Sequence, residues 1–157
     1  MRFILVDEIL EMEPGRKVRA RRFISPDEDY FTDHFPGFPV VPGVLLTEMM
    51  AQTAGKCLDA ENPGRGKSML ARITAANFRG WVRPGSTAII IGEVRTSRPQ
   101  FATADCRVEV DHQMVCSAEL MFSFVLMENF SPGYRDEVLE RFLARSKTGA
   151  TPLGGRP

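Results

Sequence analysis

Apolar positions along this chain follow two rhythms. Residues 3–6 (FILV) and 16–25 (RKVRARRFIS) read as extended, the second because Val18 and Ala20 alternate with basic residues before Phe23 and Ile24, and Pro14-Gly15 marks the turn between them. From Pro42-Gly43 to Lys56 the residues favour a helix, and Val44, Leu45, Leu46, Met49, Met50, Ala51 and Ala54 make it apolar nearly all round, the pattern of a buried helix. Residues 61–68 (ENPGRGKS) are dense in turn formers and end that helix. Four further stretches, 68–82, 86–97, 100–111 and 113–127, are rich in Ile, Val, Phe and Thr, with breaks at Arg83-Pro84-Gly85, Arg98-Pro99 and Asp111-His112. Four strands in succession predict an antiparallel meander.

Two strands, a buried helix and four strands suit an α+β fold in which an antiparallel β-sheet wraps one central helix, better than an alternating βαβ scheme. Residues 1–128 are expected to form that single domain. Beyond it, Ser131-Pro132 is a start signal, and Val138, Leu139, Phe142 and Leu143 recur at helical spacing, so residues 129–157 are expected to add an amphipathic helix and then a disordered tail, TGATPLGGRP.

Composition narrows the function. With 157 residues the chain is long enough for a substantial core, and 20 basic against 20 acidic side chains carry no overall charge that would point to nucleic acid or a membrane surface. The first ten residues lack the long apolar region of a secretory signal, and no apolar run approaches a membrane span. Cys57, Cys106 and Cys116 sit in apolar surroundings without metal-ligand spacing, as reduced core thiols of a cytoplasmic protein would.

Chemistry concentrates in DHFPGFPVVPGVLLTEMMAQTAG, residues 33–55. On a helix Glu48, Gln52 and Lys56 form one polar stripe at four-residue spacing, which either reaches the surface as a helical Glu–Lys pair or faces a cavity. A buried carboxyl with a raised pKa is a ready proton donor, which is what the cavity-facing alternative would offer. His34, one of two histidines, precedes Pro36, Pro39 and Pro42, which stiffen the loop either as a plain spacer or as the rigid mount that a general base needs. Gly43 stands where the helix begins, with free N–H groups suited to an oxyanion. A base, an oxyanion donor and an acid together fit removal of a proton next to a carbonyl with loss of a β-substituent.

The run from His34 to Gln52 closely resembles the signature of the 3-hydroxyacyl-[acyl-carrier-protein] dehydratases of the FabZ/FabA type, H-F-P-G-x-P-x-x-P-G-V-L-x-x-E-x-x-x-Q, with every fixed residue at its spacing. ANFRGWVRPG and MVCSAEL resemble later segments of the same family, so the likeness extends to about Met127. It implies a hot-dog fold and dehydration of (3R)-3-hydroxyacyl-[acyl-carrier-protein] to the trans-2-enoyl product. His34 would abstract the α-proton, Glu48 would protonate or orient the departing hydroxyl, the Gly43 amide would bind the thioester oxygen, and Gln52 would orient Glu48. Glutamate at position 48 is similar to the FabZ branch, whereas FabA carries aspartate there. The resemblance further implies acyl carrier protein as partner, a homodimer or trimer of dimers with shared sites, and neither metal nor organic cofactor.

Asn77, Gly80, Trp81 and the Pro84-Gly85-Ser86 turn depart from the family pattern. Trp81 either fills the core or borders the acyl tunnel; Arg79 and Arg83, flanking it, are the expected carrier-docking residues, whereas Lys17, Arg19 and Arg21 on one strand face equally suit a solvated edge. His112 is assigned to a hairpin turn. A hot-dog thioesterase and a non-catalytic carrier-binding partner of an active homologue are the competing readings.

Overall fold

The computed structural model describes residues 2–146; the tail 148–157, expected to be disordered, lies outside them. Six strands, β1 (Glu8–Glu13), β2 (Lys17–Phe23), β3 (Lys67–Phe78), β4 (Thr87–Ser97), β5 (Phe101–Val110) and β6 (Gln113–Val125), form one antiparallel sheet in the order β1-β2-β4-β5-β6-β3 around helix α1 (Gly43–Glu61). This is the expected α+β hot-dog arrangement. Helix α2 (Glu137–Ser146) follows the sheet.

Two expectations need correction. Residues 3–6 are not the first strand: they run beside α1 with Leu5 and Val6 buried, and the strand that pairs with β2 starts at Glu8. Nor do the last four strands form a single meander, because only β4, β5 and β6 are consecutive neighbours. The connection after β3 is too long for a tight hairpin. It is tethered elsewhere, with the Arg79 and Gly80 amides donating to Val115 O and the Val41 amide donating to Val82 O. The chain therefore crosses from the β6 edge back to β2, and β3 becomes an edge strand. By contrast β5 and β6 meet in a two-residue turn at Asp111 and His112, both with positive φ, as right-handed strand twist favours.

The concave face of the sheet buries α1. Leu46, Met49, Met50, Ala54 and Leu58 pack with Ile90, Ala104, Val108, Leu120 and Phe122 in one cluster. The approach is close at Gly92, where a Cβ would lie 3.2 Å from Val18 and 3.6 Å from Ala54. Removing a ring such as Phe122 from this core would cost about 3–5 kcal/mol. The three cysteines are buried and unbridged, and burial pushes the Cys57 thiol up to about 11 and the Cys106 thiol up to about 12. They are inert as nucleophiles.

Helix α2 docks where sheet and α1 leave a gap. Asp136 caps it, its Oδ1 accepting from the Leu139 amide at 2.9 Å, while its Oδ2 and the 4%-exposed Asp59 both receive the Lys67 ammonium. Burial opposes the charge on Lys67, but hydrogen bonds to Asp136 and Asp59 hold its pKa above the ordinary lysine value. Phe142 joins Val6, Ile9, Val18, Ala20 and Cys57 in a second apolar cluster. Among the described residues no helix is long and apolar enough to cross a membrane.

Candidate active site

Residues 34–43 form a closed loop before α1. The Phe35 and Phe38 backbones hydrogen-bond each other reciprocally across Pro36 and Gly37, and the Val40 amide donates to His34 O at 3.0 Å. His34 Nδ1 lies 3.1 Å from Val40 O. A carbonyl only accepts, so this contact requires the proton on Nδ1 and leaves the Nε2 lone pair to act as base. The imidazole stacks on Phe35, with centroids 4.1 Å apart. Three prolines and four internal hydrogen bonds thus fix both the place and the tautomer of one half-buried ring.

At the end of the loop α1 begins at Gly43 with Pro42 as N-cap and no side-chain cap, and no hydrogen bond takes up the Gly43 or Val44 amide among the described residues. These two donors sit at the positive end of a 19-residue helix. A side chain at position 43 would press on the Phe78 ring, 3.0 Å from a Cβ built there. The glycine therefore lets β3 close on the helix start while leaving the amide open.

Along α1 the predicted stripe is present, but its members differ. Glu48 and Gln52 are half-buried; Lys56 is only 7% exposed. Gln52 Nε2 donates to Glu48 Oε1 at 3.0 Å and to Phe3 O at 3.1 Å, and Gln52 Oε1 accepts from the Leu5 amide at 3.0 Å. Main-chain partners on both sides decide which end of the amide faces Glu48. Lys56 has no hydrogen bond to the side chains of this group among the described residues: its Nζ donates to the Gln52 main-chain oxygen at 3.5 Å and stands over the Phe142 ring at 4.7 Å, and burial, reinforced by Lys67, lowers its pKa to about 8. It belongs to the docking of α2.

Trp81 is not a core residue. It is 71% exposed and meets Phe38 of the His34 loop edge-on at 5.0 Å, while the Arg83 guanidinium lies over the same Phe38 ring, 4.7 Å from its centroid. Arg79 is exposed on the same connection. Lys17, Arg19 and Arg21 pair with Glu93, Glu11 and Glu8, so that strand face is charge-balanced rather than basic. His112 sits in its hairpin turn. Sequence reasoning did not find the Phe38 platform or the Phe3–Leu5 hold on Gln52; the second involves backbone atoms and leaves no side-chain signal.

His34, Gly43, Glu48 and Gln52 thus lie on one loop and the helix it leads into, yet no hydrogen bond joins His34 to Glu48 among the described residues, and neither of two surface cavities contains both. Beside them β3 is an open sheet edge with Met69, Leu70, Ile73 and Phe78 exposed. The described residues hold no cluster of His, Cys, Asp and Glu placed to bind a metal.

Residues 1–119 match the model of the FabA-like domain family. The chain is 36% identical over 122 residues to a protein of Listeria welshimeri named 3-hydroxyacyl-[acyl-carrier-protein] dehydratase FabZ, covering 77% of this chain and 85% of the relative. A protein of the same name from Clostridioides difficile is 36% identical over 124 residues, covering 78% and 87%. Among solved structures, the dehydratase heterocomplex ApeI:P of Xenorhabdus doucetiae is similar with a TM-score of 0.59 at 20% identity, over 72% of this chain and 92% of that one. The smu.793 protein of Streptococcus mutans, bound to acetyl CoA, gives 0.62 at 14% identity, over 80% and 93%. At such identities the structural likeness speaks for the fold alone.

Proposed function

The chain belongs to the FabA-like domain family, and from that premise we propose that it dehydrates (3R)-3-hydroxyacyl chains carried on acyl carrier protein to trans-2-enoyl chains in fatty-acid synthesis or a related acyl pathway. The observation that carries the assignment of roles is the His34–Val40 contact, which leaves Nε2 as a base on a rigid loop whose far end offers the open Gly43 amide. His34 Nε2 takes the α-proton of the thioester. Gly43 N–H, with the helix dipole behind it, stabilises the negative charge that develops on the thioester oxygen. Glu48, held by Gln52, delivers the proton that the β-hydroxyl takes up as the C–O bond breaks, so one water leaves; solvent then moves the proton from His34 back to Glu48.

The composite site needs a second copy. Within one chain His34 and Glu48 are not joined, and β3 presents unpaired backbone and four large apolar side chains, an edge that an isolated protein would normally cover. Two copies pair edge to edge along β3, alone or as a trimer of dimers, and each His34 faces the Glu48 of the partner copy. Residues 1–128 serve as the catalytic domain and 129–157 as an addition to it. Arg79 and Arg83 receive the acidic carrier, and Trp81 with Phe38 borders the entry of the acyl chain. The enzyme works in the cytoplasm.

The test is incubation of the purified protein with 3-hydroxyacyl-carrier-protein substrates of short, medium and long chain, followed by intact-mass analysis. Loss of one water is expected. Release of the free acid, or no change at any chain length, would overturn the reading.

A further inference from the structure

Helix α2 lies beyond the residues that the family model matches, and it does more than cover the fold. Between it and the N-terminal segment is a cavity of about 350 Å3, at the small end of small-molecule sites. Ile4, Val6, Val138 and Phe142 give it an apolar side. Arg2, Arg22, Arg141 and Arg145 line it together with Asp7 and Glu28; with Arg145 engaged in an interaction of its own, three cations stand against two carboxylates, a formal excess of one positive charge.

Both acids are already engaged. Arg22 Nη1 donates to Asp7 at 2.7 Å and its Nη2 to Glu28 at 2.5 Å, so both carboxylates are held by Arg22, and the one negative charge left on the group is outweighed by Arg2 and Arg141. Arg141 commits only its Nε, to Glu137 O at 3.3 Å, which leaves both terminal nitrogens of its guanidinium for another acceptor. An apolar pocket rimmed by surplus guanidinium selects an anion with a hydrocarbon portion: a carboxylate or phosphate head is held by charge-assisted hydrogen bonds and the stem by the apolar wall.

We propose that this cavity binds a small anionic amphiphile, its head on Arg2 and Arg141 and its short stem against Ile4, Val6, Val138 and Phe142. The site is built from the N-terminal segment and the added helix, and it does not rest on the dehydratase reading.

The experiment titrates the full chain, methyl-labelled at Ile and Val, with n-octanoate, n-octyl phosphate and the uncharged n-octanol. Either anion is expected to shift the Ile4, Val6 and Val138 methyl signals, and the tighter of the two identifies the head group. The alcohol should bind about tenfold or more weakly, for want of the charge-assisted bonds. Arg2 and Arg141 are both exposed, so the Arg2→Gln, Arg141→Gln double variant should keep its unfolding midpoint, lose about tenfold or more in affinity for the anions and none for the alcohol. Failure of both anions to move these methyls, or unchanged affinity in the double variant, would overturn the proposal. Shifts confined to Val40, Val41 and Val44 would also overturn it while leaving the acyl site, and the proposed dehydration, untouched.

Discussion

Replacing Lys56 by methionine should make the protein more stable, not less, at neutral pH. Lys56 is buried on α1 beneath Phe142, and burial lowers its pKa from 10.5 to about 8. The unfolded chain holds that proton up to the higher value and the folded chain releases it at the lower one. Between them the unfolded state binds more protons, so the Lys56 contribution to stability rises with pH: the cost is full below pH 8 and gone above pH 10.5. At 1.36 kcal/mol per pKa unit that cost is about 3 kcal/mol. Lys56→Met keeps the length of the side chain and removes the charge, but gives up the contact of the ammonium with Phe142, worth about 1 kcal/mol. The variant should gain about 2 kcal/mol at pH 7, a gain that shrinks towards zero by pH 10. Guanidinium unfolding of both proteins at the two pH values, at one fixed protomer concentration, measures it. A variant less stable than the parent at pH 7, or a difference that does not change with pH, would refute the reasoning.

Further outcomes follow from the proposed catalytic arrangement. His34→Ala and Glu48→Gln should each abolish dehydration while remaining folded, and unfolding and refolding the two inactive proteins together should restore about a quarter of the parental activity, since half of the random dimers carry one intact site; no recovery would mean that each chain holds a complete site. Gln52→Ala should lower kcat far more than it raises KM and leave the helix folded, because it frees Glu48 without touching the acyl path; an unchanged kcat would remove Gln52 from the mechanism. Ile73→Lys on the exposed β3 edge should shift the protein to a monomer by light scattering and silence it together; an active monomer would sink the shared site.

The central helix and five of the six strands were legible because their periods differ: α1 is apolar on almost every face, and β5 alternates half-buried and buried positions from Phe101 to Glu109. Neighbour relations were not. Nothing in residues 68–97 says that β3 pairs with β6 rather than β4; that depends on where the 79–86 connection is tethered, and its anchors are backbone groups of Val41, Val82 and Val115. Residues 3–6 have the composition of a strand, with Leu5 and Val6 buried, but their partner is a helix side chain. The proposed site residues were picked out by type and spacing. What the residues alone did not separate was the stripe, since Glu48, Gln52 and Lys56 look alike in spacing, and only the position of α2 assigns Lys56 to stability and leaves the other two at the site.

The grip on Gln52 by Phe3 O and Leu5 N has a practical edge. Alanine scanning alters side chains and leaves those two atoms in place, so a loss at the buried Leu5 or Val6 would be read as lost packing and the main-chain grip would go unseen. Only an edit to the main chain itself, such as Leu5→Pro, which deletes the amide hydrogen, would reveal it. An affinity tag fused ahead of Met1 begins a few bonds from that grip, and an assay on tagged protein reads the tag's pull on Glu48 as a property of the enzyme.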